Sequence, residues 1–416
     1  MSGQIEEGII KRVFTTERMS IEAPHESDAS FFCSLWQNPE VMKYVGFPEG
    51  LFCDEKRLSR QIARDNEEGK VFGRPLIVRL SSDATLIGEC FMGFPDDEGL
   101  SETDVKILPQ YRGVGYGTEI KKGLVDYLFA QSSARGIKAT PHKDNRASIR
   151  MQEANGGIRL GEAIWKPSGE QREKSGACDV PYCSYVIYRD PPERKTPCFV
   201  FDLDGTLLDT LGDITDAVNR VIARFGAAPY TEEDVRHMVG RGIEVLLQKA
   251  AGKKLTPDET DDLVDAFNKA YGENWHSRSR PYEGIKELLD ALQKQGVLLA
   301  VLSNKPHEFT VQCVRFYFPE IRFEVIRGVQ GEGLVKPDPA LIGHVLRLLG
   351  TDPAKTPFVG DTEIDIRTAK AAGLPSWAVL WGFRNVAELS NENPDFLFKT
   401  PKDLQLAASP YLNGFS

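Results

Sequence analysis

Hydrophobic positions in the second half of the chain follow two alternating rhythms. The unbroken apolar runs CFVF (198–201), VLLAVL (297–302), FVG (358–360) and WAVL (377–380) read as short parallel strands covered on both faces. The segment GIKELLDALQKQG (284–296) instead places Ile285, Leu288, Leu289 and Leu292 at helical spacing, with Gly296 as a stop. Strands alternating with helices predict a doubly wound α/β sheet, whose ligands bind at the carboxyl ends of the strands. Between Asp209 and Pro281 the strand rhythm disappears. Ile214, Ala217, Val218, Val221, Ile222 and Phe225 mark one amphipathic helix, and GIEVLLQKA and DETDDLVDAFNKAY continue the pattern. The expectation is a helical lid over 210–280, inserted into a core formed by 198–209 and 281–405.

The first half is mixed. A helical pattern at 28–36 precedes the strand-like segments PLIVRL and LIGECFMGF. TDVKILP then leads into a glycine-rich turn and an amphipathic helix carrying Ile120, Leu124, Tyr127 and Leu128. A mixed-sheet α/β domain is expected over 10–188. The segment YRDPPERKTP crowds prolines and charges together, so 189–197 reads as a linker.

Composition narrows the partners. The 416 residues suit two or three domains. A net charge of −10 argues against nucleic acid or an anionic membrane as partner. Local pockets can still hold anions. Of seven cysteines, none in a CxxC pair, several sit in apolar segments and read as small buried hydrophobes in a reducing compartment. The opening MSGQIEEGIIKRVF lacks the apolar core of a secretory leader, and no apolar run approaches a membrane span, so the expected location is cytoplasmic. Oligomeric state stays open.

Four strand ends in the second half carry polar signatures. These are Asp202-Leu203-Asp204-Gly205-Thr206, Ser303-Asn304-Lys305, Lys336 in VKPDP, and GDTEID with Asp361 and Asp365. Each alone is an ordinary turn, cap or solvated residue. Together, converging carboxylates require a cation, and oxygen-only ligands suit Mg²⁺. Such an ion and Lys336 would neutralise phosphate oxygens. An aspartate could then form an acyl-phosphate while a second carboxyl handles the proton.

This set resembles the haloacid dehalogenase (HAD) superfamily over roughly 197–405. The resemblance implies Asp202 as nucleophile and Asp204 as general acid/base, with Ser303 and Lys336 holding the transferring phosphoryl group. Asp202, the Asp204 main-chain carbonyl, Asp361 and Asp365 would position Mg²⁺. MVGRGIEVLL, RPYEGIKELL and VLSNKP are most similar to phosphoglycolate phosphatases, implying a small phosphate monoester as substrate. Sugar phosphomutases share the motifs and stay open. Arg241 in the lid is a candidate for reading the non-phosphate end of the substrate.

In the first half, QYRGVGYGTE joins a strand to a helix, and its glycines allow close approach of an anion to free helix N–H groups. A dinucleotide fingerprint fails on position, because the turn lies late in its domain. With NRASIRMQEANGG and the 16–46 block, the turn resembles the GNAT superfamily of acyl-CoA-dependent N-acyltransferases. The resemblance covers roughly 10–188. It implies acetyl-CoA on Gln110, Arg112, Gly113, Val114, Gly115, Tyr116, Gly117 and Thr118, with Asn145 and Ser148 near its arm, and an amine as acceptor. Glu89 or Glu102 would serve as base, and Tyr182 or Tyr185 as acid. The whole then reads as a two-enzyme fusion. A phosphatase regulated by a non-catalytic CoA-binding domain, or joined to a purely structural one, is the alternative.

Overall fold

The computed structural model describes residues 12–190, 197–225, 228–330 and 334–413. The chain divides into two compact units, 1–190 and 191–416. Most of the stretch read as a linker lies outside the described residues.

The front unit is built on β1 (Arg12–Thr15), β2 (Met19–Glu22), β3 (Pro75–Leu80), β4 (Leu86–Pro95), β5 (Leu100–Ile107), β6 (Gly136–Ala139), β7 (Ile158–Trp165) and β8 (Val180–Tyr188). They form one sheet in the order β1-β2-β3-β4-β5-β6-β8-β7. Every pairing is antiparallel except β5 with β6. That parallel pair is short. It runs from Leu100↔Gly136 to Glu102↔Lys138, after which β5 continues to Ile107 without β6 beside it. The sheet therefore opens as a wedge at its centre.

The helix Tyr116–Gln131 covers one face, burying Ile120, Leu124 and Leu128 against Met19, Ile21, Leu76 and Val78. On the other side Phe32 and Ile62, from the helices Ala29–Trp36 and Glu55–Glu67, pack with Ile77. The alternation of Ile77 with Leu76 and Val78 is the strand period expressed as two cores. Cys33 and Cys53 are joined in a disulfide, with Cα atoms 5.1 Å apart. This corrects the expectation of cysteines as simple buried hydrophobes for that pair. Twenty residues separate them, and only the fold brings them within bridging reach.

The second unit contains β9 (Cys198–Phe201), β10 (Leu208–Asp209), β11 (Arg280–Pro281), β12 (Leu298–Pro306), β13 (Phe323–Val329), β14 (Phe358–Gly360), β15 (Ser376–Val379) and β16 (Phe396–Phe398). Six of them form an all-parallel sheet in the order β13-β12-β9-β14-β15-β16. Leu299, Val301 and Phe199 are fully buried because helices cover both faces, which is why these strands read as unbroken apolar runs. The first strand, β9, lies between β12 and β14, so successive connections leave it in opposite directions. A crevice opens at such a switch point, at the carboxyl ends of the strands.

The two-stranded β10–β11 ladder is the stem of a helical segment. Its helices are Leu211–Ile222, Glu232–Arg236, Ile243–Ala250 and Pro257–Asn274. Ala217, Val218, Val221 and Ile222 are buried as the periodicity predicts.

Gly88 on β4 is held tightly against β5. A Cβ there would stand 2.1 Å from the Lys106 carbonyl oxygen of the paired β5. Gly88→Ala should destabilise the front unit by about 2 kcal/mol or more, since main chain cannot yield as a side-chain tip can. Denaturant unfolding of the variant checks this, and an unchanged transition would contradict the register.

Candidate active site and the comparisons with known proteins

Asp202 directly follows strand β9, and the chain then turns sharply through Gly205, whose φ is +88°. A Cβ on Gly205 would lie 2.3 Å from Asp361 Oδ2, so the turn excludes any side chain. Asp361 follows β14 directly and is fully buried. Its oxygens accept from Thr206 Oγ1 at 2.9 Å and from the Phe383 amide at 2.7 Å. Asp365 sits in the first turn of the helix Glu363–Ala371, where Thr362 donates to it through both amide and hydroxyl.

These elements bring one oxygen each from Asp202, Asp361 and Asp365 within 4.8 Å of one another. Lys336, itself 3% exposed, is the cation among them. Its Nζ lies 2.8 Å from Asp202 Oδ1 and 2.7 Å from Asp365 Oδ1. One ammonium does not balance three carboxylates. Burial, opposed by Lys336, pushes the Asp202 carboxyl up to about 7, and burial beside Asp365 and Asp202 raises Asp361 well above its ordinary value. The donor set is all oxygen and short of positive charge, so it fits a hard divalent cation such as Mg²⁺.

The remaining expected residues are also placed. Ser303 is buried on β12 and lines a cavity with Asp202, Asp204 and Lys336. The side chain of Asp204 stands outside the three-carboxylate cluster. Lys305 Nζ holds it at 3.0 and 3.2 Å. Arg241 does not line the cavity. Its half-exposed guanidinium faces Glu363 at 3.5 Å.

Sequence reasoning assigned no role to three contributors. Lys305 is buried, with its pKa raised because Asp204 and the Tyr271 ring outweigh desolvation. Asn304 donates to the carbonyls of Gly240 and Lys336 and accepts from the Lys336 amide, tying β12 to the helical segment and the lysine loop. Arg384 is buried and donates to the carbonyls of Arg236 and Val239 while pairing with Glu363. The SNK motif pointed to the first two; nothing local marks Arg384.

The cavity is about 60 Å³. Ile214, Val239, Ile243, Leu246 and Phe267 wall it on the helical side.

Residues 199–379 match the model for haloacid dehalogenase-like hydrolases. A phosphoglycolate phosphatase of Aquifex aeolicus is 35% identical over 205 residues, which are 49% of this chain and 93% of that protein. That of Haemophilus influenzae strain 86-028NP is 34% identical over 205 residues, covering 48% and 92%. The chain belongs to the haloacid dehalogenase-like hydrolases. Residues 18–158 match the model for the acetyltransferase (GNAT) domain, so this hydrolase carries a second enzyme family in front. A solved structure described as a predicted phosphoglycolate phosphatase from Haemophilus somnus matches 52% of the chain and all of its own length, at 30% identity and a TM-score of 0.48.

The GNAT domain has its own cleft of about 930 Å³ along the wedge. Arg112, Gly113, Gly117, Thr118, Asn145 and Ser148 line it. Gln110, Val114, Gly115 and Tyr116 are not among its lining residues. The turn is braced from outside. Arg18 donates to the Val114 carbonyl at 3.1 Å, pairs with Glu119 at 2.7 Å and lies over the Tyr116 ring. Gly115, at φ +89°, precedes the helix, leaving the first N–H groups without intrahelical acceptors. Asn145 caps the helix Arg146–Ala154 by accepting from the Ser148 amide at 3.1 Å.

The acid–base candidates here separate. Glu89 is buried, 3.0 Å from Lys106 Nζ and from Trp36 Nε1. Glu102 is exposed and borders the cleft, as does Tyr182. Tyr185 does not line it. Its hydroxyl donates to Glu153, and burial pushes its pKa up to about 12.

A stability prediction follows from the carboxylates. Below pH 3.8 the Asp202 carboxyl is protonated whether or not the chain is folded, and burying it is not penalised. As pH rises toward 7 the unfolded chain ionises while the folded one resists, so stability falls. In a chelator the thermal midpoint should drop across this window, and excess Mg²⁺ should abolish the drop. A flat metal-free profile would contradict the uncompensated cluster.

Proposed function

We propose that 198–209 and 281–405 form a Mg²⁺-dependent phosphomonoesterase core, with 210–280 as its lid. Its substrate is a small phosphate monoester of the 2-phosphoglycolate kind. The observation that carries this reading is the clustering of Asp202, Asp361 and Asp365 with Lys336 beside a small cavity that Asp202, Ser303 and Lys336 line. The family relationship supports it, as do relatives named phosphoglycolate phosphatases.

Asp202, Asp361 and Asp365 would hold Mg²⁺, with the Asp204 carbonyl as a further ligand. Bound there, the ion supplies positive charge that lets an anionic nucleophile meet an anionic ester. Lys336 and Ser303 orient the phosphoryl oxygens. An Asp202 oxygen attacks phosphorus, and the ester oxygen departs with a proton from Asp204, giving an alcohol and an aspartyl-phosphate. Asp204 then takes a proton from water as its oxygen attacks phosphorus. The P–O bond to Asp202 breaks, phosphate leaves and Asp202 is restored. The ion pair to Lys305 positions the Asp204 carboxyl. The apolar lid excludes bulk water and leaves room for a short leaving group.

For the front unit we infer acyl transfer from a CoA thioester, acetyl-CoA being the simplest, to an amine. The wedge and the helix N-terminus that meet at one cleft support this, with the family match. The two units would make the chain bifunctional.

Phosphate release from a panel of small monoesters, with Mg²⁺, tests the main reading. Asp202→Asn should abolish release, and Asp204→Asn should slow it by about 10²–10⁴-fold. Absence of any release that depends on both Mg²⁺ and Asp202 would refute the hydrolase and favour a phosphomutase.

A further inference from the structure

The helix behind the glycine turn carries two adjacent lysines with opposite surroundings. Lys122 is exposed and pairs with Asp126. Lys121 is 1% exposed and lines the GNAT cleft. Its hydrogen-bond partner among the described residues is Thr103 Oγ1, and none of their carboxylates forms an ion pair with it. Thr103 follows Glu102, the last β5 residue paired with β6, and its hydroxyl donates to the Lys138 carbonyl at 3.4 Å. The Lys121 amine therefore stands at the apex of the wedge, where the two strands part.

The neighbouring acids are engaged elsewhere or face solvent. Asp104 is taken by Lys106 and by the Val105 amide. Glu89 is taken by Lys106 and Trp36, and Glu102 is exposed. Lys138 and His142 also line the cleft, adding no negative charge. Desolvation pushes the Lys121 amine down to about 7, with Asp104 opposing. A lone amine in such a place is costly, and an apolar side chain of the same volume would be more stable there. A ligand that brings an anion to the apex removes the cost.

The wedge opens toward the carboxyl end of β5, where the 113–118 turn and its free N–H groups lie. A thioester anchored there by its pyrophosphate runs along β5 for about 13 Å to the apex, at roughly 3.3 Å per residue. Its acyl end is the part that arrives at Lys121.

We propose that Lys121, with Thr103, selects the acyl group, and that the front unit takes the CoA thioester of a short dicarboxylic acid whose free carboxylate pairs with Lys121. This rests on the acyl-CoA reading and narrows it from acetyl to an acidic acyl group. Pairing turns a neutral amine into an ammonium, so binding above pH 7 takes up a proton.

Calorimetry on the full chain with CoA, acetyl-CoA and succinyl-CoA tests this. Succinyl-CoA should bind about tenfold or more tighter than acetyl-CoA. Its heat at pH 8 should vary with the ionisation enthalpy of the buffer, reporting proton uptake. Both features should vanish in Lys121→Met, which keeps the side-chain volume and whose folding is checked by its thermal midpoint. Acetyl-CoA binding as tightly as succinyl-CoA in the wild type would overturn the inference and leave the CoA site standing. So would a succinyl preference that survives in Lys121→Met. No binding of any of the three would overturn the acyl-CoA reading and this inference together.

Discussion

The compensation of buried negative charge organises the second unit. Three carboxylates and one ammonium are removed from water at the ends of β9, β14 and the loop before the helix Pro339–Leu349. In a low-dielectric site such groups persist only if other charges and donors satisfy them. Much of the surrounding architecture serves this need. Thr206 and the Phe383 amide hold Asp361, Thr362 holds Asp365, and Asn304 fixes the Lys336 loop. On the proposed reading, a divalent cation would complete the balance.

The two units solve one physical problem differently. A parallel sheet makes its crevice by reversing strand order around β9. The mixed sheet makes one by ending a parallel pairing after Glu102 and Lys138. In the mixed sheet the free N–H groups of a helix end lie beside the opening, a surface suited to an anion. Neither crevice requires a loop to be held by its own side chains alone.

Much of this was legible in the sequence because the determinants are local. A strand running into Asp202-Leu203-Asp204, or a strand–glycine–helix step at 110–118, declares its position in the fold through periodicity and turn chemistry. The partners of these residues are not local. Arg384 closes on the carbonyls of Arg236 and Val239 from 145 or more positions away, so no pattern signals it. Arg241 has the composition of a substrate reader, yet its guanidinium turns to Glu363. The Cys33–Cys53 bridge depends on tertiary proximity alone. Lys121 is an intermediate case: it shares the 117, 121, 124, 128 stripe of its helix, and burial could have been read from that spacing.

Three glycines press against two of the clustered aspartates. Cβ atoms on Gly205 and Gly382 would collide with Asp361, and one on Gly360 would collide with Asp365. None of the three carries chemistry, yet none has room for a single methyl group. The packing around the carboxylate cluster is thus closed to gradual remodelling by substitution. The cavity's helical wall is not, since Ile214, Ile243, Leu246 and Phe267 project from three helices with no charge to balance. On the proposed reading, substrate range would change through this wall, while the carboxylates beside it stay fixed by the absence of side chains.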